Sequence, residues 1–200
     1  MTTHKTKAKS HGGPIVIIGG GFAGVTLAQR LEHLLPAGTE IIVFGAVNHL
    51  VFTPMIPEVV GRTICPLHVV VPGRQLTQRT TWVEACVDRV DYENNEVHFR
   101  RGDGSAAVQT YAHLVFACGS ASNLHEISGL AGRGYPLKTV MDAIVLGNDL
   151  IGKFETAAAE TESAERRRLL TVVVIGGGFS GVEVAGHIAD LMRAMEIGRA

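Results

Sequence analysis

One pattern occurs twice in this sequence, and nothing else in it constrains the fold as much. Residues 14–24 read PIVIIGGGFAG, and residues 171–181 read TVVVIGGGFSG. Each is a short β-branched apolar run emptying into G-x-G-x-x-G. The glycines are Gly19, Gly21 and Gly24 in the first copy and Gly176, Gly178 and Gly181 in the second. A buried parallel strand, a tight turn and a helix N-terminus satisfy this pattern. The first glycine permits the turn, the second lets backbone approach a pyrophosphate, and the third lets helix pack on strand. The free N–H groups and positive dipole end of the helix then hold phosphate. One such motif is weak support for a nucleotide site. Two, each between a strand and an amphipathic helix, are much stronger.

Around the first copy the sequence predicts a complete βαβ unit. Residues 15–18 form the strand, and 22–35 form a helix with Val25, Leu27, Ala28, Leu31, Leu34 and Leu35 as its apolar stripe. Pro36-Ala37-Gly38 stops the helix, and 40–44 (EIIVF) is the second strand. At the tip of that strand such folds place an Asp or Glu to bind a ribose hydroxyl. Here the tip reads Phe44-Gly45-Ala46-Val47-Asn48-His49, with no acid. Either another group, such as Asn48, takes the ribose, or adenosine is held more weakly than usual.

Further along, 49–62 (HLVFTPMIPEVVGR) carries two prolines among apolar residues and reads as a buried crossover loop. Strands are expected at 81–90 and 96–101, separated by a turn-rich segment, and again at 109–117, ending in Cys118-Gly119-Ser120. This middle region reads as a small antiparallel insertion that returns to a parallel sheet. Cys118 reads as a small buried thiol at a strand end. Residues 139–162 predict one long helix or a helix pair, loosened at Gly147 and Gly152. The charged run 160–168 reads as a solvated helix end or linker. The second fingerprint then supplies a strand at 169–175 and a helix at 179–195. No second strand follows before the sequence closes, so its βαβ unit reads as cut in half.

Composition removes several alternatives. A net charge of −1 gives no electrostatic footprint for nucleic acid or an anionic membrane. Cys65, Cys86 and Cys118 form no C-x-x-C, and no His pairs with Glu as H-E-x-x-H, so no metal site is expected. No apolar run approaches the roughly 18–20 residues of a membrane span. Residues 1–13 are basic and polar without an apolar centre, and read as a disordered leader rather than a secretory signal. A transit peptide is the competing reading, because acids are absent there.

Two fingerprints with a domain between them resemble the two-dinucleotide-binding-domain flavoproteins, and in particular the type II NADH dehydrogenase branch. The resemblance rests on 17–24 (IIGGGFAG) and on 50–61 (LVFTPMIPEVVG), which is similar to that family's flavin-covering loop. It also rests on 111–120 (YAHLVFACGS), 135–143 (YPLKTVMDA) and 174–185 (VIGGGFSGVEVA). The fold it implies is α/β: a Rossmann-like FAD-binding domain over 14–168, with a small antiparallel β insertion and a linking helix. Residues 169–200 would then open a second, truncated NAD(P)H-binding domain.

The resemblance also assigns residues. Gly19, Gly20, Gly21, Phe22, Ala23 and Gly24 match the FAD phosphate loop. Pro54 falls in the loop beside the isoalloxazine, and Ala117, Cys118 and Gly119 match the family's A-T-G turn. Gly176, Gly178, Phe179 and Gly181 would hold NADH or NADPH. Glu183 matches an acid near the flavin–nicotinamide contact, although on the residues alone an acid near a helix N-terminus simply favours the dipole. Hydride would pass from the nicotinamide to flavin N5, and electrons would go on to a quinone. The implied location is cytoplasmic, with peripheral membrane contact in the full-length family, unless residues 1–13 address an organelle.

The sequence departs from that family in three ways. Gly45 stands where a ribose acid is expected, Cys118 replaces a Thr, and the later flavin-contacting and quinone-docking regions do not follow. The expectation is therefore an N-terminal fragment or truncated reading frame, weakly active or inactive alone. The alternatives are a non-catalytic FAD- or nucleotide-binding remnant and, further off, a sulfide:quinone oxidoreductase. The latter needs paired reactive cysteines that Cys65, Cys86 and Cys118 do not match.

Overall fold

β1 (Ile15–Ile18) is the strand from which the first half of the architecture grows. The computed structural model describes residues 13–197, so the N-terminal leader assigned to 1–13 lies almost wholly outside the described residues. By contact the chain divides into two units. One comprises residues up to 50 with 71–120, and the other comprises 51–70 with those from 121 onward.

In the first unit β1 lies parallel between β2 (Ile41–Gly45) and β8 (His113–Phe116). β2 pairs parallel with β5 (Thr81–Asp91). Antiparallel β6 (Glu96–Arg101) and β7 (Ala106–Thr110) extend the edge, giving the order β7-β6-β5-β2-β1-β8. α1 (Phe22–Leu34) joins β1 to β2. A central parallel strand must be apolar on both faces. Val16, Ile18, Ile42 and Phe44 accordingly pack with Val97 and Phe99 on one face. Ile17, Ile41 and Val43 pack with Val25, Ala28 and Trp82 on the other. The expected α/β class, with a Rossmann-like opening and an antiparallel extension, is the class observed.

The single strand expected at 109–117 is two strands. β7 pairs with β6, and β8 pairs with β1, while Tyr111 donates its N–H to Asn95 and Ala112 donates to Pro14 between them. Strand propensity does not encode which neighbour a segment joins, and here it changes neighbour part-way along.

In the second unit the segment read as a crossover loop holds a short 3-10 turn and a helix, α2 (Ile56–Val60). β3 (His49–Val51) and β4 (Val70–Pro72), at the ends of this segment where the chain passes from one unit to the other, form a separate two-stranded sheet, and a one-turn helix, α3 (Gly73–Leu76), follows β4. α4 (Val140–Ala159) runs unbroken through Gly147 and Gly152, so the expected loosening does not occur. Gly147 instead permits close packing, since a Cβ there would sit 3.2 Å from the Val60 carbonyl. The charged run forms a short helix, α5 (Ser163–Leu169), capped by Glu162, which accepts from the N–H groups of Ala164 and Glu165. α6 (Phe179–Ile197) buries Val184, Ile188 and Leu191 against Ile56, Val59, Val60, Ala143 and Leu150.

The strand expected at 169–175 is not formed. Leu169 ends α5, and 171–177 are unpaired, with Val173 at 77% exposure and Ile175 at 56%. A strand needs a neighbour to satisfy its N–H and C=O groups, and none of the described strands lies beside this segment. The apolar pattern is present without the partner that would make it a strand.

Candidate functional site

The first fingerprint turns at the C-terminal end of β1. Gly19 donates its N–H to the Phe44 carbonyl at 2.7 Å and has φ +118°, a conformation that L side chains rarely adopt. A Cβ there would lie 2.1 Å from the Ala117 carbonyl oxygen, and Ala117 in turn donates to Ile18 at 2.7 Å. The turn and the residues after β8 are thus in direct backbone contact, so the structure brings together Gly19 and Ala117, which are distant in sequence. Gly24 closes the arrangement, because a Cβ there would fall 1.9 Å from the Gly19 carbonyl oxygen.

Gly21 differs from both. A Cβ at Gly21 would meet nothing within 4 Å, so backbone here borders open space. Gly21 is also the N-cap of α1, where no side chain caps the helix and no acid lies in the first turn. By contrast, Thr139 and Asp142 close a capping box on α4, and Glu162 caps α5. Four N–H groups at a helix start need acceptors. At α1 the side chains leave that role to a ligand or solvent, as a pyrophosphate site requires. Phe22 and Ala23 are exposed beside it.

Gly20 is fixed by a residue that the sequence reading did not single out. A Cβ at Gly20 would lie 2.8 Å from the ring of Trp82, and one at Gly73 would lie 2.5 Å from the same ring. Trp82 donates its indole N–H to the Thr77 hydroxyl at 2.8 Å, which locks the ring under the turn. Period-2 alternation does not mark it as inward-facing, because exposed Glu84 and Cys86 share its side of β5.

Cys118 corrects one expectation. It is exposed, because it lies beyond the end of β8, and its thiol reaches the Ile18 carbonyl at 3.5 Å. Gly119 follows with φ +68°. Cys65 and Cys86 are also free and exposed.

The second fingerprint repeats the first turn. Gly176 has φ +113°, a Cβ at Gly181 would sit 1.9 Å from the Gly176 carbonyl oxygen, and Gly178 borders open space. Val182 donates to Gly178 at 3.1 Å, as Val25 does to Gly21 at 2.9 Å. Phe179, the first residue of α6, is 92% exposed. Glu183 is exposed in the second turn of α6 rather than the first, which weakens its dipole role. Pro54 is exposed in the 3-10 turn Thr53–Met55 of this same unit.

Among the described residues one group has metal-ligand character, namely Asp91, Glu96 and His98 on the β5–β6 hairpin. Its atoms are already engaged. Arg89 lies 2.9 Å from His98 Nε2, and Asp91 accepts the N–H groups of Glu93 and Asn94.

The sequence matches the pyridine nucleotide-disulphide oxidoreductase family over residues 13–197. The chain belongs to that family. Among its relatives, the mitochondrial external alternative NAD(P)H-ubiquinone oxidoreductase B2 of Arabidopsis thaliana is 31% identical over 188 residues, covering 89% of this chain and 32% of that protein. The type II NADH:quinone oxidoreductase NdhA of Mycobacterium tuberculosis is 31% identical over 180 residues, covering 88% and 37%. The solved structure of NDH2 from Plasmodium falciparum in complex with NADH aligns with a TM-score of 0.83 at 22% identity, covering 93% and 39%. The sulfide:quinone oxidoreductase of Aquifex aeolicus aligns with a TM-score of 0.61, over 72% of this chain and 32% of that one. The chain thus spans about a third of the length of the relatives it matches. The family is one of oxidoreductases, and the resemblance to its type II NADH:quinone branch is the one these homologues carry.

Proposed function

We propose that this chain holds FAD at its first fingerprint and supplies the opening of an NAD(P)H site at its second, as part of an NAD(P)H:quinone oxidoreductase. The observation carrying this reading is the pair of turns with matching glycine φ and matching close contacts, of which the first leaves α1 uncapped over open space beside Gly21. The residues present fit a dinucleotide. Gly19, Gly20 and Gly21 would bring backbone to the pyrophosphate, Phe22, Ala23 and Gly24 would continue into the helix that holds it, and Ala117, Cys118 and Gly119 would border it. When bound, FAD supplies the two-electron chemistry between NAD(P)H and quinone. Pro54 is assigned to the flavin side, while Gly176, Gly178, Phe179 and Gly181 are assigned to NAD(P)H. The relatives named as ubiquinone oxidoreductases support quinone as acceptor, and peripheral contact with a membrane is proposed alongside it. No helix among the described residues is long and apolar enough to cross one.

The unpaired, exposed segment 171–177 favours a second reading, in which the chain binds the nucleotide without turnover. Flavin absorbance and NADH oxidation with a soluble quinone, measured on the purified 200-residue chain, separate the two. The expected result is FAD retention with turnover near background, because segment 171–177 pairs with none of the described strands. Robust turnover would discard the non-catalytic reading, and failure to bind FAD or ADP would discard the site itself.

Glu183 is assigned a proton-handling role beside the nicotinamide. In a full-length relative, the substitution matching Glu183→Gln is expected to remove one limb of the pH–rate profile. An unchanged profile would return Glu183 to an ordinary exposed helix acid.

A further inference from the structure

The end of β2 lacks the acid that normally grips the adenosine ribose, and the geometry shows why it cannot simply be restored there. A Cβ at Gly45 would lie 2.7 Å from the Val47 carbonyl oxygen. Real side chains essentially never make that approach, so the turn after β2 requires glycine. Gly45 is nevertheless at the right place, since its missing Cβ would stand 3.7 Å from the Gly20 nitrogen.

The neighbouring strand carries a carboxylate at the same level. Gly45 is the register partner of Glu84 in the parallel β2–β5 pairing, as Val43 is the partner of Trp82. Parallel neighbours stand about 4.8 Å apart, and paired positions share a sheet face. Val43 and Trp82 both pack in the cluster with Val25 and Ala28 of α1, so this is the face that carries the fingerprint turn. Trp82 is buried on it and Glu84, two residues on, is exposed. The covered face therefore opens at Glu84, just past the ring that supports Gly20. Among the described residues its carboxylate has no hydrogen-bond or ion-pair partner. Glutamate is also a poor strand former, so local preference does not account for it. Ligands of such sheets bind in the crevice outside the carboxyl ends of the parallel strands, and Glu84 sits at that edge.

We infer that Glu84 supplies the ribose-binding carboxylate that Gly45 cannot, with the acid moved one strand sideways from β2 to β5. This rests on the nucleotide reading of the first fingerprint. The Glu84 carboxylate, at the same level of the sheet and on the same face as Gly45, would accept from the ribose hydroxyls. Asn48, the other candidate, already uses its carbonyl to accept the Gly73 N–H at 2.8 Å, and only its exposed side chain remains.

The test measures binding of ADP and of 2′,3′-dideoxy-ADP to the full 200-residue chain by calorimetry. Wild type is expected to bind ADP about 10–100-fold more tightly than the dideoxy form, the range for hydrogen bonds to a charged group. Glu84→Gln is expected to abolish most of that preference, leave dideoxy-ADP affinity nearly unchanged and keep the unfolding midpoint of wild type, because Glu84 is exposed. Retention of the preference in Glu84→Gln overturns the assignment, and so does its loss in Asn48→Ala alone. An equal loss on both ligands also overturns it, because the effect then does not pass through the ribose. Binding of neither ligand by wild type overturns the nucleotide site and this assignment together.

Discussion

Gly24→Ala is expected to destabilise the first unit by about 3–5 kcal/mol, whereas Gly21→Ala is expected to leave its stability within about 1 kcal/mol and remove the dinucleotide. The contrast follows from what each added methyl meets. At Gly24 it falls 1.9 Å from the Gly19 carbonyl oxygen, inside the turn and against backbone that cannot rotate away. Relief requires α1 to lift from β1, which breaks the packing of Val25 and Ala28 on Ile17 and Val43. At Gly21 the methyl meets no protein atom, and φ −79° with ψ −169° is open to alanine. Its only obstacle is whatever approaches the uncapped start of α1. A pyrophosphate held by backbone N–H groups tolerates no methyl there, and FAD affinity is expected to fall on the order of 100-fold.

Urea unfolding and flavin retention, measured on the same two variants, check this. Gly21→Ala that binds FAD as wild type does would move the phosphate site elsewhere. Gly24→Ala with wild-type stability would show that the turn is not built as described. The corresponding pair in the second copy, Gly181→Ala and Gly178→Ala, should show the same order with a smaller loss of stability. There the turn follows an unpaired segment rather than a strand inside a sheet.

The glycine spacing made this much of the architecture legible from sequence, because a positive φ and a close backbone approach both demand glycine at fixed intervals. The βαβ unit was legible for the same reason, together with the stripe of α1. What pattern could not supply was partnership. Residues 109–117 read as one continuous strand, yet which neighbour they join changes at Tyr111. Residues 171–175 are β-branched like β1 but have no neighbour among the described strands, so the same residue types give strand in one place and exposed chain in the other. Trp82 under Gly20, and Glu84 beside Gly45, depend on the register between β2 and β5, which alternation alone does not encode. Cys118 was misread because burial at a strand end depends on what lies beyond it. The roles of Pro54 and Glu183 rest on family resemblance.

Arg79→Ala is expected to cost about 2–4 kcal/mol, through a clamp that no motif announces. α1 ends with carbonyls that have no intrahelical donor and with the negative end of its dipole. The guanidinium of Arg79 answers both. One nitrogen faces the carbonyls of Pro36, Ala37 and Thr39 at 3.0–3.2 Å, and the other faces those of Leu31, Glu32 and Leu35 at 2.7–3.4 Å. Removing it strands acceptors and an unopposed dipole end, and Arg79→Lys should recover only a small part, because an ammonium cannot span both groups.

Glu32 completes the clamp from the helix side. It accepts the N–H groups of Gln78, Arg79 and Thr80 at 2.7–3.0 Å and the Thr80 hydroxyl at 2.6 Å. Partial burial pushes its carboxyl up, but the Gln78 N–H, the Thr80 hydroxyl and the remaining N–H groups outweigh that and hold it at about 2, below the ordinary 4.5. The folded state thus favours the ionised form, so this stabilisation is complete above pH 4.5 and is lost as pH falls toward 2. With solvent beside this half-buried group, the amount at stake is about 1–2 kcal/mol. Urea midpoints from pH 7 down to pH 3 should fall more steeply in wild type than in Glu32→Gln, whose amide has no charge to lose. Parallel decline of the two would show that the acid loss belongs to other carboxylates and that Glu32 does not tie α1 to the start of β5.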